Sequence, residues 1–195
     1  DRNHLLLIAK NNEGYYNLVK LNSLAYTQGF HYKPRIDLKL LKEHSKGLIC
    51  LSACLAGKIP QLLLADDYEA AKQYAITLRD MFDEGDFYIE LQDHGIEEQK
   101  RINPKLVQLA KEIGVKVVAT NDAHYIERSD AEMHEVLLCI QTGKTLDDPS
   151  RVRFETDQFY IKTPEEMEKL FAWVPEAITS TAEIANKCNV KITRQ

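Results

Sequence analysis

The chain has 195 residues, 44% hydrophobic and 28% charged, and its 25 basic residues against 30 acidic ones leave a net charge of -5. That is the make-up of a globular protein with its own core. It excludes a basic surface spread over the whole molecule, although a local pocket can still carry positive charge. No apolar run approaches the roughly 18 residues needed to span a bilayer, and Asp1-Arg2-Asn3-His4 does not read as a secretory leader. The four cysteines (Cys50, Cys54, Cys139, Cys188) form no CxxC pair, which fits a reducing, cytoplasmic compartment better than a disulfide framework.

The chain opens on an apolar run, Leu5 to Ala9, which reads as a buried strand, either a native N-terminal strand or one left where earlier sequence has been removed. Residues 13–27 carry an apolar stripe of helical period (Tyr16, Leu18, Val19, Leu21, Leu24, Ala25), closed by Gly29. A short helix is expected over residues 36–43 with Asp37 near its start, then a strand over 47–53. Helices follow over 59–64 and 68–82, a strand over 87–91, and a helix over 97–113 with Gly114 as its stop and Pro104 as a break or kink. Residues 115–120 read as another buried strand. A helix over 130–141 has Ser129 and Glu132 as a capping box. Residues 142–156 form the least regular stretch, 159–161 a short strand, and 164–171 and 175–188 helices with proline in the first turn. Apolar strands alternating with amphipathic helices predict a single α/β domain over 1–195 with parallel strands. A complete eight-fold barrel takes about 250 residues, so the chain is short for one.

In such folds chemistry gathers where strands end. The strand at 115–120 runs into Asn121-Asp122-Ala123-His124, and in an extended segment Asp122 and His124 point the same way. A carboxylate and an imidazole placed so suit zinc, manganese or iron; the plainer alternative is a loop aspartate beside a surface histidine. Cys54 follows the strand at 47–53 and is either a soft-metal ligand or a small buried hydrophobe. His4 lies at the edge of the first strand. Asp93-His94 before Gly95 reads as a turn, His134 as helix packing or support, and Cys139 and Cys188 as core. The loop Gly29-Phe30-His31-Tyr32-Lys33-Pro34-Arg35 mixes cations with aromatics, a combination that holds phosphate and stacks bases, or is simply solvated.

Several strings then fit together in order: Asn3-His4-Leu5 with Ala9-Lys10-Asn11, Tyr32-Lys33-Pro34-Arg35, Leu51-Ser52-Ala53-Cys54-Leu55-Ala56-Gly57, Glu90-Leu91-Gln92-Asp93-His94-Gly95, Ala119-Thr120-Asn121-Asp122-Ala123-His124-Tyr125, and the run from Cys139 to Pro149. They resemble the PHP (polymerase and histidinol phosphatase) domain of the bacterial DNA polymerase III alpha subunit, over nearly the whole chain. The resemblance implies a partial, distorted (β/α)7 TIM-like barrel lacking its first strand-helix units. It implies metal ligands at His4, Cys54, Asp122 and His124, with zinc or manganese at the site and magnesium for the parent polymerase. Lys33 and Arg35 become candidate phosphate or DNA contacts, and Asp93, His94 and His134 candidate supports of the ligands. The implied activity of the parent is DNA synthesis with 3′–5′ exonuclease chemistry, this piece alone being inactive. The implied partners are DNA and the other holoenzyme subunits, including the proofreading exonuclease subunit. Stand-alone phosphoesterase and non-catalytic scaffold remain the alternatives. A barrel short of strands would also leave sheet edges open to a second copy.

Overall fold

The computed structural model describes residues 2–192. Its elements, in chain order, are β1 (Leu6–Ala9), α1 (Asn12–Thr27), α2 (Leu38–Glu43), β2 (Leu48–Leu51), α3 (Lys58–Leu64), α4 (Tyr68–Arg79), β3 (Phe87–Leu91), α5 (Glu97–Ile113), β4 (Lys116–Ala119), a single 3-10 turn (Arg128–Asp130), α6 (Ala131–Thr142), α7 (Pro164–Leu170) and α8 (Glu176–Lys187). The four strands make one sheet in the order β1-β2-β3-β4. Helices and strands therefore fall where the apolar periodicity places them, and the protein is a mixed α/β fold. Among the described residues the sheet is open.

β2 and β3 are buried at every position, as strands covered on both faces must be. One face (Cys50, Phe87, Ile89, Leu91, Val117, Ala119) packs into the large core with Leu63, Ala71, Leu78, Ile102 and Leu106 from the helices. On the other face Ile49, Leu51, Tyr88 and Val118 meet Ile184 of α8. At the end of the sheet where β2 and β3 begin, Asp86 is almost fully buried and is clamped by Lys10 and Lys187. Lys187 also reaches the Tyr88 hydroxyl.

Four expectations need correction. β1 pairs antiparallel with β2, with Leu6 opposite Leu51 and Ala9 opposite Leu48, whereas β2-β3 and β3-β4 are parallel. It is also an edge strand, partly exposed along its length. A short apolar run carries no sign of its direction. α5 runs unbroken through Pro104: the bond lost at the proline is outweighed by an inner face burying Ile102, Leu106, Leu109, Ala110 and Ile113. The expected Ser129 cap is replaced by a reciprocal pair between Glu127 and Asp130 on the 3-10 turn ahead of α6. The strand expected at 159–161 is reduced to one bridge, Tyr125 with Tyr160.

The direction of β1 depends on one close approach. Lys10 N–H donates to the Gly47 carbonyl at 2.8 Å, which brings the start of β2 beside the end of β1. There the backbone of Gly14 in α1 lies directly on Gly47, so that a Cβ at Gly14 would sit 1.8 Å from the Gly47 oxygen. Gly47 has φ +72°, a conformation that favours glycine. Substituting Gly14→Ala is expected to lower the unfolding free energy by about 1–3 kcal/mol through overpacking. Urea titration of the variant checks this, and an unchanged midpoint would mean that the α1–β2 contact is not what holds the hairpin-like entry.

Candidate metal and phosphate site

The antiparallel β1 has a consequence for the site. In an all-parallel sheet, a residue ahead of a strand lies at the end opposite the strand C-termini. For a four-residue strand that separation is on the order of 13 Å. Because β1 runs the other way, His4 lies beside the loop that follows β2. Its N–H donates to Ala56 O at 3.0 Å, and its Nδ1 is 3.5 Å from Cys54 Sγ. Two ligands on a tetrahedral zinc at ordinary Zn–N and Zn–S lengths stand about 3.5 Å apart, so this pair has the spacing of neighbouring ligands.

The pair opens onto a cavity of about 950 Å³ whose wall also includes Glu90, Gln92 and Asp122, with Arg2, Lys33 and Arg35. Among the described residues those three cations take part in no ion pair. In an acidic chain, unneutralised cations around one cavity are suited to oxyanions.

Two backbone positions here are left-handed without being glycine: Ala53 at φ +64° and Asp122 at φ +44°. Each sits at or just past a strand end and turns the chain toward the cavity, and such conformations persist only where neighbours enforce them. The neighbour at Asp122 is His94. Its Nε2–H donates to Asn121 O at 2.8 Å, and its Nδ1 accepts from Gln99 Nε2 at 2.9 Å. Burial holds its pKa below the usual histidine value, so the ring is the neutral tautomer those bonds require. It stacks on Phe159 at 4.0 Å between ring centroids. His94 thus fixes the loop carrying Asp122, while Asp93 accepts from Gly95 N and serves the turn.

The left-handed Asp122 also separates the two residues that an extended segment would aim together. Asp122 lines the cavity. His124 instead donates from Nδ1–H to Asp122 O at 2.8 Å and lies edge-on to Phe154, Phe159 and His134, leaving Nε2 as its unassigned nitrogen. His134 on α6 belongs to that aromatic group rather than to the cavity.

Glu90, within the string Glu90-Leu91-Gln92-Asp93-His94-Gly95, joins the cavity wall although no spacing motif singles it out. It is the next-to-last residue of β3 and is 4% exposed. Its Oε1 accepts from Thr120 Oγ1 at 2.5 Å and from Gln92 Nε2 at 2.9 Å. Oε2 is buried without a partner, as is Gln92 Oε1. The available signal was a glutamate inside the otherwise apolar strand Phe87-Tyr88-Ile89-Glu90-Leu91, where charge is rare unless it is paired.

A nitrogen, a sulfur and two carboxylates on one wall suit a divalent transition metal by donor type, and the His4–Cys54 pair and the orphaned Glu90 oxygen fit such an ion. Among the described residues, however, no three His, Cys, Asp or Glu side chains converge closely enough to form a complete shell. The thiol does not serve as a nucleophile by itself. Burial pushes the Cys54 pKa up, reinforced by the Asp122 and Glu90 charges, so it stays protonated at neutral pH unless a cation offsets them.

Burial also raises the Glu90 pKa above the ordinary carboxyl value, with Asp122 adding to the effect. A carboxyl whose folded pKa is raised favours folding below its unfolded pKa and loses that contribution as pH rises through the folded one. Glu90→Gln in metal-free protein should therefore gain stability relative to wild type as pH increases from about 4 to 8. Paired urea titrations across that range test it, and a gap that stays flat or narrows would mean that the carboxylate is neutralised in the folded chain.

Residues 1–94 match the family model described as PHP domain. Nearly the whole chain is similar to proteins named DNA polymerase III subunit alpha. The one from Treponema pallidum is 47% identical over 189 residues, 97% of this chain and 16% of the relative. That from Borreliella burgdorferi is 48% identical over 97% of the chain and 17% of the relative. That from Thermus aquaticus is 49% identical over 97% and 16%. The chain thus spans about one sixth of the length of these relatives. Among the described residues no helix is long and apolar enough to cross a membrane.

Proposed function

We propose, from its match to the PHP domain over residues 1–94 and its similarity over nearly its whole length to proteins named DNA polymerase III subunit alpha, that this chain is one part of a replicative DNA polymerase and forms a wall of a metal-dependent phosphoester site. Within the longer protein it would be part of a distorted (β/α)7 barrel, cytoplasmic and working on DNA beside the other holoenzyme subunits, the proofreading exonuclease subunit included. The carrying observation is the 3.5 Å His4–Cys54 contact opening onto a cavity with Asp122 on its wall and unpaired Arg2, Lys33 and Arg35 around it.

His4, Cys54 and Asp122 would hold zinc or manganese, and His124 through Nε2 on a different setting of its loop; magnesium would serve the polymerase centre elsewhere in the parent. The ion would supply Lewis-acid stabilisation at phosphoryl oxygens. The chain's own residues do the rest. Lys33 and Arg35 hold phosphate oxygens, the exposed Tyr32 ring beside them offers a surface for a base, and His94 keeps Asp122 in its left-handed turn.

In the full-length polymerase, chelation and Cys54→Ala should each cut metal-dependent 3′–5′ degradation of a primer at least tenfold, with DNA synthesis by the Cys54 variant unchanged. The isolated chain, lacking three convergent donors, should show none. Equal degradation by wild type, variant and chelated enzyme would reject the catalytic reading. It would leave a scaffold role, which the displaced His124 and the incomplete donor set favour.

A further inference from the structure

The charge of the chain is unevenly spread. Residues 10–46 carry seven basic against three acidic side chains, a net +4 within a chain of net -5. Of these, Lys20, Lys33, Arg35, Lys39 and Lys42 take part in no ion pair among the described residues. The same stretch carries aromatic rings on its solvent side. α1 buries Gly14, Leu21 and Ala25, so positions 16, 19, 20, 23 and 26, spaced three or four apart, look outward. Tyr16 and Tyr26 on that face, and Phe30 and Tyr32 just beyond it, are each more than half exposed. The Tyr26 and Phe30 rings stand 6.4 Å apart between centroids and within 28° of parallel. Gly29 links this surface to the cavity. A Cβ there would stand 1.9 Å from the Arg35 carbonyl oxygen, so the loop doubles back and sets Arg35, on the cavity wall, against the end of α1.

We propose that the outer face of α1 is a track for single-stranded DNA: Tyr16, Tyr26 and Phe30 stack bases, Lys20, Lys33 and Arg35 take phosphates, and the strand passes over the 29–35 loop to the cavity. None of the four rings is part of the apolar core, and flat aromatic faces beside unpaired cations suit a polyanion whose bases are free to stack. A duplex keeps its base faces inside its own stack, so the partner is a single strand. A symmetric pair of chains through this face would set one basic stretch against another. From Tyr16 to the end of α1 at Thr27 is about 16 Å at helical rise, room for roughly five nucleotides at a stacked spacing of about 3.4 Å. The destination of the strand rests on the phosphoester-site reading above; the track itself does not.

The test is fluorescence anisotropy of a labelled oligo(dT) of about 20 nucleotides with the chain, in EDTA, beside a duplex and an oligo(U) of the same length. The single DNA strand should bind at least tenfold more tightly than the duplex. Tyr16→Ala combined with Tyr26→Ala should weaken it at least tenfold, whereas Tyr26→Phe, which keeps the ring, should stay within about twofold of wild type. Lys20→Gln should lower the slope of log affinity against log salt by about 0.7. In the wild-type chain, ultraviolet cross-linking from 5-iododeoxyuridine in the oligonucleotide should label Tyr16, Tyr26 or Phe30, a readout that depends on no variant folding. Equal binding of duplex, a tenfold preference for oligo(U), an unweakened double variant, or cross-links confined to other residues would each overturn the proposal. So would self-association of the chain that the double variant abolishes, which would assign the face to a protein contact. Because the binding is measured in chelator, failure of the metal-site reading would leave these affinities as expected, and the two failures are distinguishable.

Discussion

A carboxyl group placed inside a protein without a counter-charge is among the costliest groups a fold can carry, and β3 carries one, its pKa raised by burial. Glu90 sits on a strand buried at all five positions, beside the mouth formed by Cys54 and Asp122. Polar groups hold it (Ser52 through its backbone N–H, Thr120 and Gln92 through Oε1, and the Ala53 backbone on the carboxyl), and none of them supplies positive charge. The cavity, the raised thiol of Cys54 and the unpaired cations around the wall make sense together as parts of one unbalanced electrostatic centre. Its inside carries acidic side chains and its mouth basic ones. A phosphoester bridging a metal and basic side chains meets both.

The opposite end of the same sheet shows the balanced counterpart. Asp86 is buried as deeply as Glu90, yet two lysines from separate elements close on it, tying the end of β1 and α8 to the start of β3. One end of the sheet is sealed by compensated charge and the other is left uncompensated. Retaining an unsatisfied buried group costs stability that the rest of the core must offset.

Much of this was legible in the residues, and the failures have physical causes. The helices of residues 12–27, 68–79 and 97–113 and the strands at 48–51, 87–91 and 116–119 follow from period and length. The direction of β1 does not, because it is set by the Gly14–Gly47 contact between segments 33 residues apart in sequence (47 minus 14). Yet that direction alone brings His4 to Cys54. The strings around Cys54 and Asp122 hold two residues that line the same cavity. The two-residue alternation behind the Asp122–His124 pair assumed an extended chain, and φ +44° at Asp122 removes that premise; only the tertiary support from His94 and Phe159 makes such a turn tenable. Glu90, the next-to-last residue of β3, is flagged in the sequence only as one charge within an apolar strand.

The most direct measurement is anomalous diffraction at the zinc edge from crystals of the chain grown with zinc. The account predicts a peak within coordinating distance of His4 Nδ1 and Cys54 Sγ. A cavity without a peak, or zinc held only between His124 and His134, would contradict it.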